Sequence, residues 1–265
     1  MFTGVFDQSL LQREYVDLRV SGAIIPSYFF CTPDLDVVQK RAKQLRSWGL
    51  EPAGHPIIYM LDPTWPEVVG GIIKRITRTQ QYADIVTAIG LADVVNEPLS
   101  HPCEDTVLLY KEFRGRSSIP RRINETGILS GENTAALVGA LKFNIGLCEY
   151  IGVQAHVSPN FSYSMISSIF TEKYMEDQIK AIASLGLPIH ISEMSVPSSG
   201  NGWTQARQAS FIQRIFLATH KYVDRIYYWE VKDKRSGMFN PISGLIDIYG
   251  KKKKAYNVFK SLADA

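Results

Sequence analysis

Asp93-Val94-Val95-Asn96-Glu97-Pro98 and Ile189-His190-Ile191-Ser192-Glu193-Met194 are two apolar runs that each deliver a glutamate near their end. A short apolar run reads as a buried strand, which places both carboxyls at strand C-termini. In a parallel barrel that end is where active sites are built. Either glutamate alone reads as a strand-end carboxylate in water. Two of them, in this order, give one group to protonate a leaving oxygen and one to attack a sugar carbon, the equipment of a retaining glycosidase.

Outward from these runs, the 265-residue chain alternates short apolar runs with amphipathic stretches from end to end. Strands are predicted at Phe2–Phe6, Ala23–Ile25, Ala53–Met60, Asp93–Asn96, Arg122–Asn124, Glu149–Ala155, Ile189–Glu193 and Arg225–Trp229. Helices are predicted at Asp34–Trp48, Glu67–Thr79, Glu104–Phe113, Glu132–Leu141, Glu172–Leu185, Thr204–His220 and Lys254–Leu262. Asp34 reads as an N-cap, and Gly49 and Gly186 as stops. Val16–Phe30 is cramped and reads mostly as loop. Eight strands alternating with helices imply an α/β fold, a (β/α)8 TIM barrel. A barrel of that kind takes roughly 250 residues, so 1–265 reads as a single catalytic domain.

The net charge of +3 is too small and scattered for a nucleic-acid partner. Lys251–Lys254, the one basic run, reads as a solvated turn before the last helix. Cys31, Cys103 and Cys148 are an odd, widely spaced set that defines neither a zinc site nor a disulfide framework. The first residues lack the basic and apolar regions of a secretory leader. No apolar stretch approaches the ~18 residues of a membrane span, so no membrane partner is expected. These readings leave a cytoplasmic protein, or a secreted or periplasmic one whose leader has been removed. A monomer is expected.

Read together, the strand ends resemble glycoside hydrolase family 10, the endo-β-1,4-xylanase family of clan A, from about Asp34 to the C-terminus. Gly54-His55 resembles the "GH" of its third strand, and Pro63-Thr64-Trp65 its "P-x-W". Residues Asp93–Glu97 match "DVVNE", and Ile151–His156 are similar to "IGLQGH". His190-Ile191-Ser192-Glu193 resembles "ITE", and Trp229–Asp233 resembles "WGVTD". Gly244–Asp247 with Lys254-Ala255-Tyr256 resembles "LLFD…KPAY". Each motif is weak alone; in correct order and at barrel spacing they are specific.

The resemblance implies that Glu97 is the acid/base and Glu193 the nucleophile. It implies that Asn96 binds the hydroxyl beside the anomeric carbon and that His156 bonds the nucleophile. Gln154 and His55 would line the neighbouring subsites, and Trp229 would stack under a sugar ring, whose C–H face suits a flat indole. No cofactor or metal is needed, and the partner is a polysaccharide or oligosaccharide. Among the remaining residues, His101 and His220 read as surface residues, and His190 points outward by strand alternation from Glu193. Trp48 reads as helix packing, while Trp65 and Trp203 sit in loops that would extend the cleft.

Departures from the family concern the sugar-binding periphery. "EN-x-x-K-W" has no match, Pro26-Ser27-Tyr28-Phe29 standing in its place. The "W-H" pair is Tyr59-Met60, and the second tryptophan of the last loop is Gly237. Ser195 replaces an aspartate, which implies that His156 loses its partner. The expectation is a retaining endo-β-glycosidase for which xylan is doubtful. A carbohydrate-binding pseudoenzyme, a transglycosylase using the same residues, and a metal-assisted barrel enzyme using His55, His156 and Glu193 are the rivals. No compact ligand motif supports the last.

Overall fold

A computed structural model of the chain describes residues 1–6, 10–26, 34–60, 70–101, 103–144, 146–234 and 241–264. Among the described residues nine strands are present: β1 Phe2–Phe6, β2 Gly22–Pro26, β3 Glu51–His55, β4 Ile58–Tyr59, β5 Leu91–Asn96, β6 Arg121–Glu125, β7 Tyr150–His156, β8 Ile189–Ser195 and β9 Val223–Tyr228. All pair in parallel, in the order β3-β2-β1-β9-β8-β7-β6-β5. The β3–β5 pairing, Ala53 with Leu91 and Gly54 with Ala92, closes eight of them into a ring. This is the (β/α)8 TIM barrel read from the sequence. The short β4 lies beside the end of β5, Tyr59 pairing with Asn96.

The predicted strand Ala53–Met60 is therefore two strands. Pro56 has no N–H to give to a ladder and stops β3; Ile57 N then donates to Asp93 O and the chain resumes as β4. Helices fill the returns. Asp34 caps Leu35–Ser47 by accepting from Asp36 N at 3.0 Å, and Gly49, at φ 78°, turns the chain out of that helix. The helix Gln12–Leu18, not anticipated, runs into the segment Val16–Phe30 that was read mostly as loop, and the strand expected there at Ala23–Ile25 is β2. Tyr163–Ile169 is a further helix not anticipated, and the predicted Glu67–Thr79 lies at Gly71–Ile85, its first residues being outside those described.

Two apolar populations separate by strand parity. Val5, Ala23, Ile25, Ala92, Ile151 and Ile191 face outward and join the buried faces of the helices in one large core. Residues of the opposite parity, Phe6, Ile24, Ala53, Leu91, Tyr227 and Trp229, form a separate cluster inside the ring. The interior is thus packed, as a barrel of this size requires. Above the cluster the interior turns polar.

Parity is broken at several places, two of which bear on the site. Between β5 and β6, Asp93 pairs with Arg122 but Asn96 with Asn124, so β5 carries one extra residue. Between β7 and β8, Val153 pairs with Ile191 but Gln154 with Glu193, so β8 carries one too. A bulge of this kind re-aims the side chains beyond it.

Candidate active site

The bulge in β8 corrects the reading of His190. His190 faces the barrel interior together with Glu193, because the extra residue shifts the alternation between them. It lies 3.4 Å from Arg122 Nη1 and packs on Tyr150 and Tyr227. Burial first, and the Arg122 charge second, push its imidazole down to about 2, so it is neutral. The bulge in β5 likewise lets Asp93 and Asn96 share the interior.

Asp93 and Arg122 anchor the site from below. Both side chains are fully buried, and the guanidinium grips the carboxylate through Nε at 2.6 Å and Nη2 at 2.7 Å. Burial alone would raise the Asp93 carboxyl, but the Arg122 charge and hydrogen bonds outweigh it and hold it at about 2. Asp93 Oδ2 also meets His55 Nδ1 at 2.8 Å, and His55 Nε2 faces Glu193 Oε1 at 3.3 Å. Burial would discharge His55, yet Glu193 and Asp93 on either side raise it above its ordinary value. His55 is 2% exposed, so it joins two carboxylates and does not line an open subsite.

Glu193 is held on both oxygens. Asn124 Nδ2 donates to Oε1 at 2.6 Å, and His156 Nε2 lies 2.8 Å from Oε2. Burial would raise this carboxyl; His55, His156 and Asn124 together bring it below the ordinary carboxylate value. The serine at position 195 does not leave His156 unpartnered: Ser195 Oγ sits 2.7 Å from Nδ1 and occupies the place assigned to the missing aspartate.

A hydrogen-bond chain runs from Glu193 to Glu97. Ser192 Oγ donates to Asn124 Oδ1, Asn124 Nδ2 donates to Asn96 Oδ1 at 2.6 Å, and Asn96 Nδ2 donates to Glu97 Oε1 at 3.1 Å. Gln154 Nε2 donates to the same Glu97 oxygen at 2.7 Å. Gly152 makes room for this chain, since a Cβ there would stand 2.9 Å from both Asn124 Oδ1 and Ser192 Oγ. Glu97 itself leaves β5 at φ 50°, a left-handed turn that a residue with a Cβ adopts at a cost. Its N–H donates to Asn124 O at 2.7 Å, which pins the turn.

The structure thus brings Glu97, Glu193, His55, Asn96, Gln154 and His156 to one place. Trp229 lies beneath them, 6% exposed, packed on Phe6 and meeting His55 and His156 edge-on at 5.5 and 5.8 Å. His101, read as a surface residue, reaches Glu97 instead: Nε2 is 3.1 Å from Oε2. The turn that returns His101 N to Glu97 O makes that contact, and the i,i+4 spacing was its only sequence signal. Asn124, Ser192 and Arg122 were also missed as members of the site. Tyr59, noted only as a departure, is near enough to both glutamates that their charges, after burial, raise its phenol. Trp203 is buried, its Nε1 donating to Phe161 O at 3.0 Å, so it packs instead of extending the cleft. Trp65, Gly237 and Ser27–Phe29 lie outside the described residues. His220 is exposed, and Trp48 packs on Tyr15 as expected.

Among the described residues no group of His, Cys, Asp and Glu is disposed to hold a metal ion, and no helix is long and apolar enough to cross a membrane.

The Asp93–Arg122 pair carries a stability prediction. Asp93 takes up protons less readily folded than unfolded, so its contribution is complete above about pH 4 and is lost as pH falls toward 2. Denaturant midpoints should drop steeply across that window. Arg122→Ala, which strands a buried carboxylate, should cost about 3–5 kcal/mol at neutral pH. Equal midpoints for the variant and the parent protein would refute the anchoring role.

Residues 129–262 match the model of a family described as Glycosyl hydrolase family 10. The match includes Gln154, His156, Glu193 and Trp229, while Glu97 precedes it. No curated protein matches the chain at a significant level. Among solved structures, a psychrophilic glycoside hydrolase family 10 endo-β-1,4-xylanase is 19% identical, with 97% of this chain and 96% of that one covered and a TM-score of 0.75. A thermostable mutant of a xylanase from Cellvibrio japonicus is 14% identical, covering 99% and 96%, at a TM-score of 0.77. A Clostridium thermocellum endo-1,4-β-D-xylanase complexed with xylohexaose is 12% identical, covering 99% of this chain and 66% of that one, at 0.75. At these identities the likeness is one of fold.

Proposed function

Because the chain belongs to glycosyl hydrolase family 10, we propose that it is a retaining, endo-acting β-glycosidase that cleaves a β-linked polysaccharide or oligosaccharide. Glu193 attacks the anomeric carbon while Glu97, in its protonated form, gives its proton to the departing oxygen. Glu97 then takes a proton from water, which releases the sugar from Glu193 with net retention. The observation that carries this reading is the chain Glu97–Asn96–Asn124–Glu193, which fixes two strand-end carboxylates against one another across a buried polar floor. Asn96, between them, is placed to meet the ring hydroxyl next to the reacting carbon. His55 and His156 keep Glu193 ionised, the state a nucleophile needs. Trp229 forms the apolar base of the site.

The test is the anomeric configuration of the first product. In ¹H NMR spectra taken during early hydrolysis, the β-anomer should precede its mutarotated partner; an α-anomer first would refute double displacement. A glycan panel scored by product mass then reads the substrate. Tyr59-Met60 stands for the family's "W-H", and the distal asparagine–lysine grip has no counterpart in the sequence. Linear xylan should accordingly be a poorer substrate than at least one other β-linked glycan, among substituted xylans, β-glucans and bacterial exopolysaccharides. Linear xylan proving best by a wide margin would remove the inference from those departures and leave the catalytic assignments intact.

A further inference from the structure

Glu230 follows Trp229 beyond the end of β9, and nothing in the chemistry above employs it. Its backbone lies at φ 70°, left-handed, where a residue with a Cβ is strained. The family pattern that the segment resembles has glycine at this place, and glycine takes that conformation freely. Here the chain accepts the strain and inserts a carboxylate. The side chain is 3% exposed, and Lys234 Nζ donates to Oε1 at 2.7 Å. Oε2 is buried with no hydrogen-bond partner among the described residues. A buried carboxylate oxygen left without a donor is costly, so an unmet one asks for a ligand. Burial raises the Glu230 carboxyl above its ordinary value, opposed chiefly by Lys234.

Its position fixes which part of a substrate it meets. In the ring of eight, β9 stands four strands from β5 in either direction, so Glu230 is across the barrel from Glu97. Trp229 N donates to Met194 O at 2.8 Å, and the Trp229 ring touches both imidazoles that hold Glu193. Glu230 therefore leaves the strand that neighbours the one carrying Glu193, across the barrel from Glu97.

We infer that Glu230 is a specificity-determining residue whose Oε2 accepts a hydrogen bond from a free hydroxyl of the sugar ring held against Glu193. This rests on the glycosidase reading. Lys234 orients the carboxylate through its other oxygen. The ring it selects is neutral and unsubstituted at that hydroxyl: an acyl or alkyl cap removes the donor, and a uronate brings a like charge toward Glu230.

The experiment compares the unmodified protein with Glu230→Gly and Glu230→Gln on 4-nitrophenyl β-glycosides of xylose, xylobiose, glucose and cellobiose, and on analogues lacking one hydroxyl of the ring next to the leaving group. The glycine variant, which also relieves the strained backbone, should lose roughly 10- to 100-fold in kcat/KM, the scale of a hydrogen bond to a charged group, without a fall in Tm. One deoxy analogue should cost the unmodified protein a similar factor and the glycine variant almost nothing. The isosteric glutamine variant should fall between, and carries the same comparison if the glycine variant does not fold. An active parent protein whose variants keep full kcat/KM, or in which every deoxy analogue is penalised equally with and without Glu230, overturns this inference alone. A parent protein inert on the whole panel overturns it together with the glycosidase reading.

Discussion

Glu193→Ala should lower turnover of every cleaved glycan by roughly 10⁴- to 10⁶-fold, the scale seen when a covalent nucleophile is removed. The expectation comes from how the carboxylate is held. It lies buried and yet below its ordinary value, because His55, His156 and Asn124 supply more stabilisation of the charge than burial takes away. Azide added to this variant should not restore turnover with retained configuration, since the first displacement has no carboxylate to make it. Initial rates on an aryl glycoside, together with circular dichroism to establish folding, measure the effect. A folded variant that kept most of its activity would show the assignment to be wrong.

Glu97→Ala should divide substrates by their leaving groups. On natural glycans the departing oxygen needs a proton, and losing a positioned general acid should cost about 10²- to 10⁴-fold. An aryl glycoside with an acidic phenol needs no such help, so its first step should survive and the glycosyl ester on Glu193 should accumulate. Azide can then replace the water that Glu97 would have activated, and the product should be a β-glycosyl azide. Mass spectrometry of the trapped ester and NMR of the azide product report the two steps separately. Equal losses on natural and activated substrates, with no azide product, would assign Glu97 a structural part only.

The barrel was legible because short apolar runs recur along the chain, several of them closing on glutamate, asparagine or histidine as β3, β5, β6 and β7 do, and because glycine and aspartate mark helix ends as at Asp34 and Gly49. The candidate pair Glu97 and Glu193 was legible for the same reason, each member standing at the end of such a run. Strict alternation failed where the backbone departs from it. His190 was assigned to the wrong face because an extra residue in β8 cannot be seen in a string of letters; it is visible only in the pairing with β7. His101 was read as surface because a turn, not a strand, returns it to Glu97. Ser195 was read as a loss because the comparison was by residue type, whereas its hydroxyl at 2.7 Å still gives His156 Nδ1 a hydrogen-bond partner, though not a charge. Asn124 went unnoticed since a strand-end asparagine carries no signal until both of its neighbours, on β5 and β8, are known. Glu230 shows the converse: a glutamate where glycine belongs was plain in the sequence, but its unmet oxygen was not.

In the buried row Asp93–His55–Glu193, the carboxyl on either side makes the imidazole hold its proton more tightly than usual. On the proposed mechanism, forming the glycosyl ester neutralises one end of that row. His55 then keeps a single carboxylate neighbour, so its grip on its proton loosens for as long as the sugar stays attached. The His55 ring meanwhile faces a neutral ester instead of an anion. The covalent intermediate would thus sit in a different electrostatic setting from the resting protein without any atom of the barrel moving, and the two displacements would have different pH dependences from a single buried histidine.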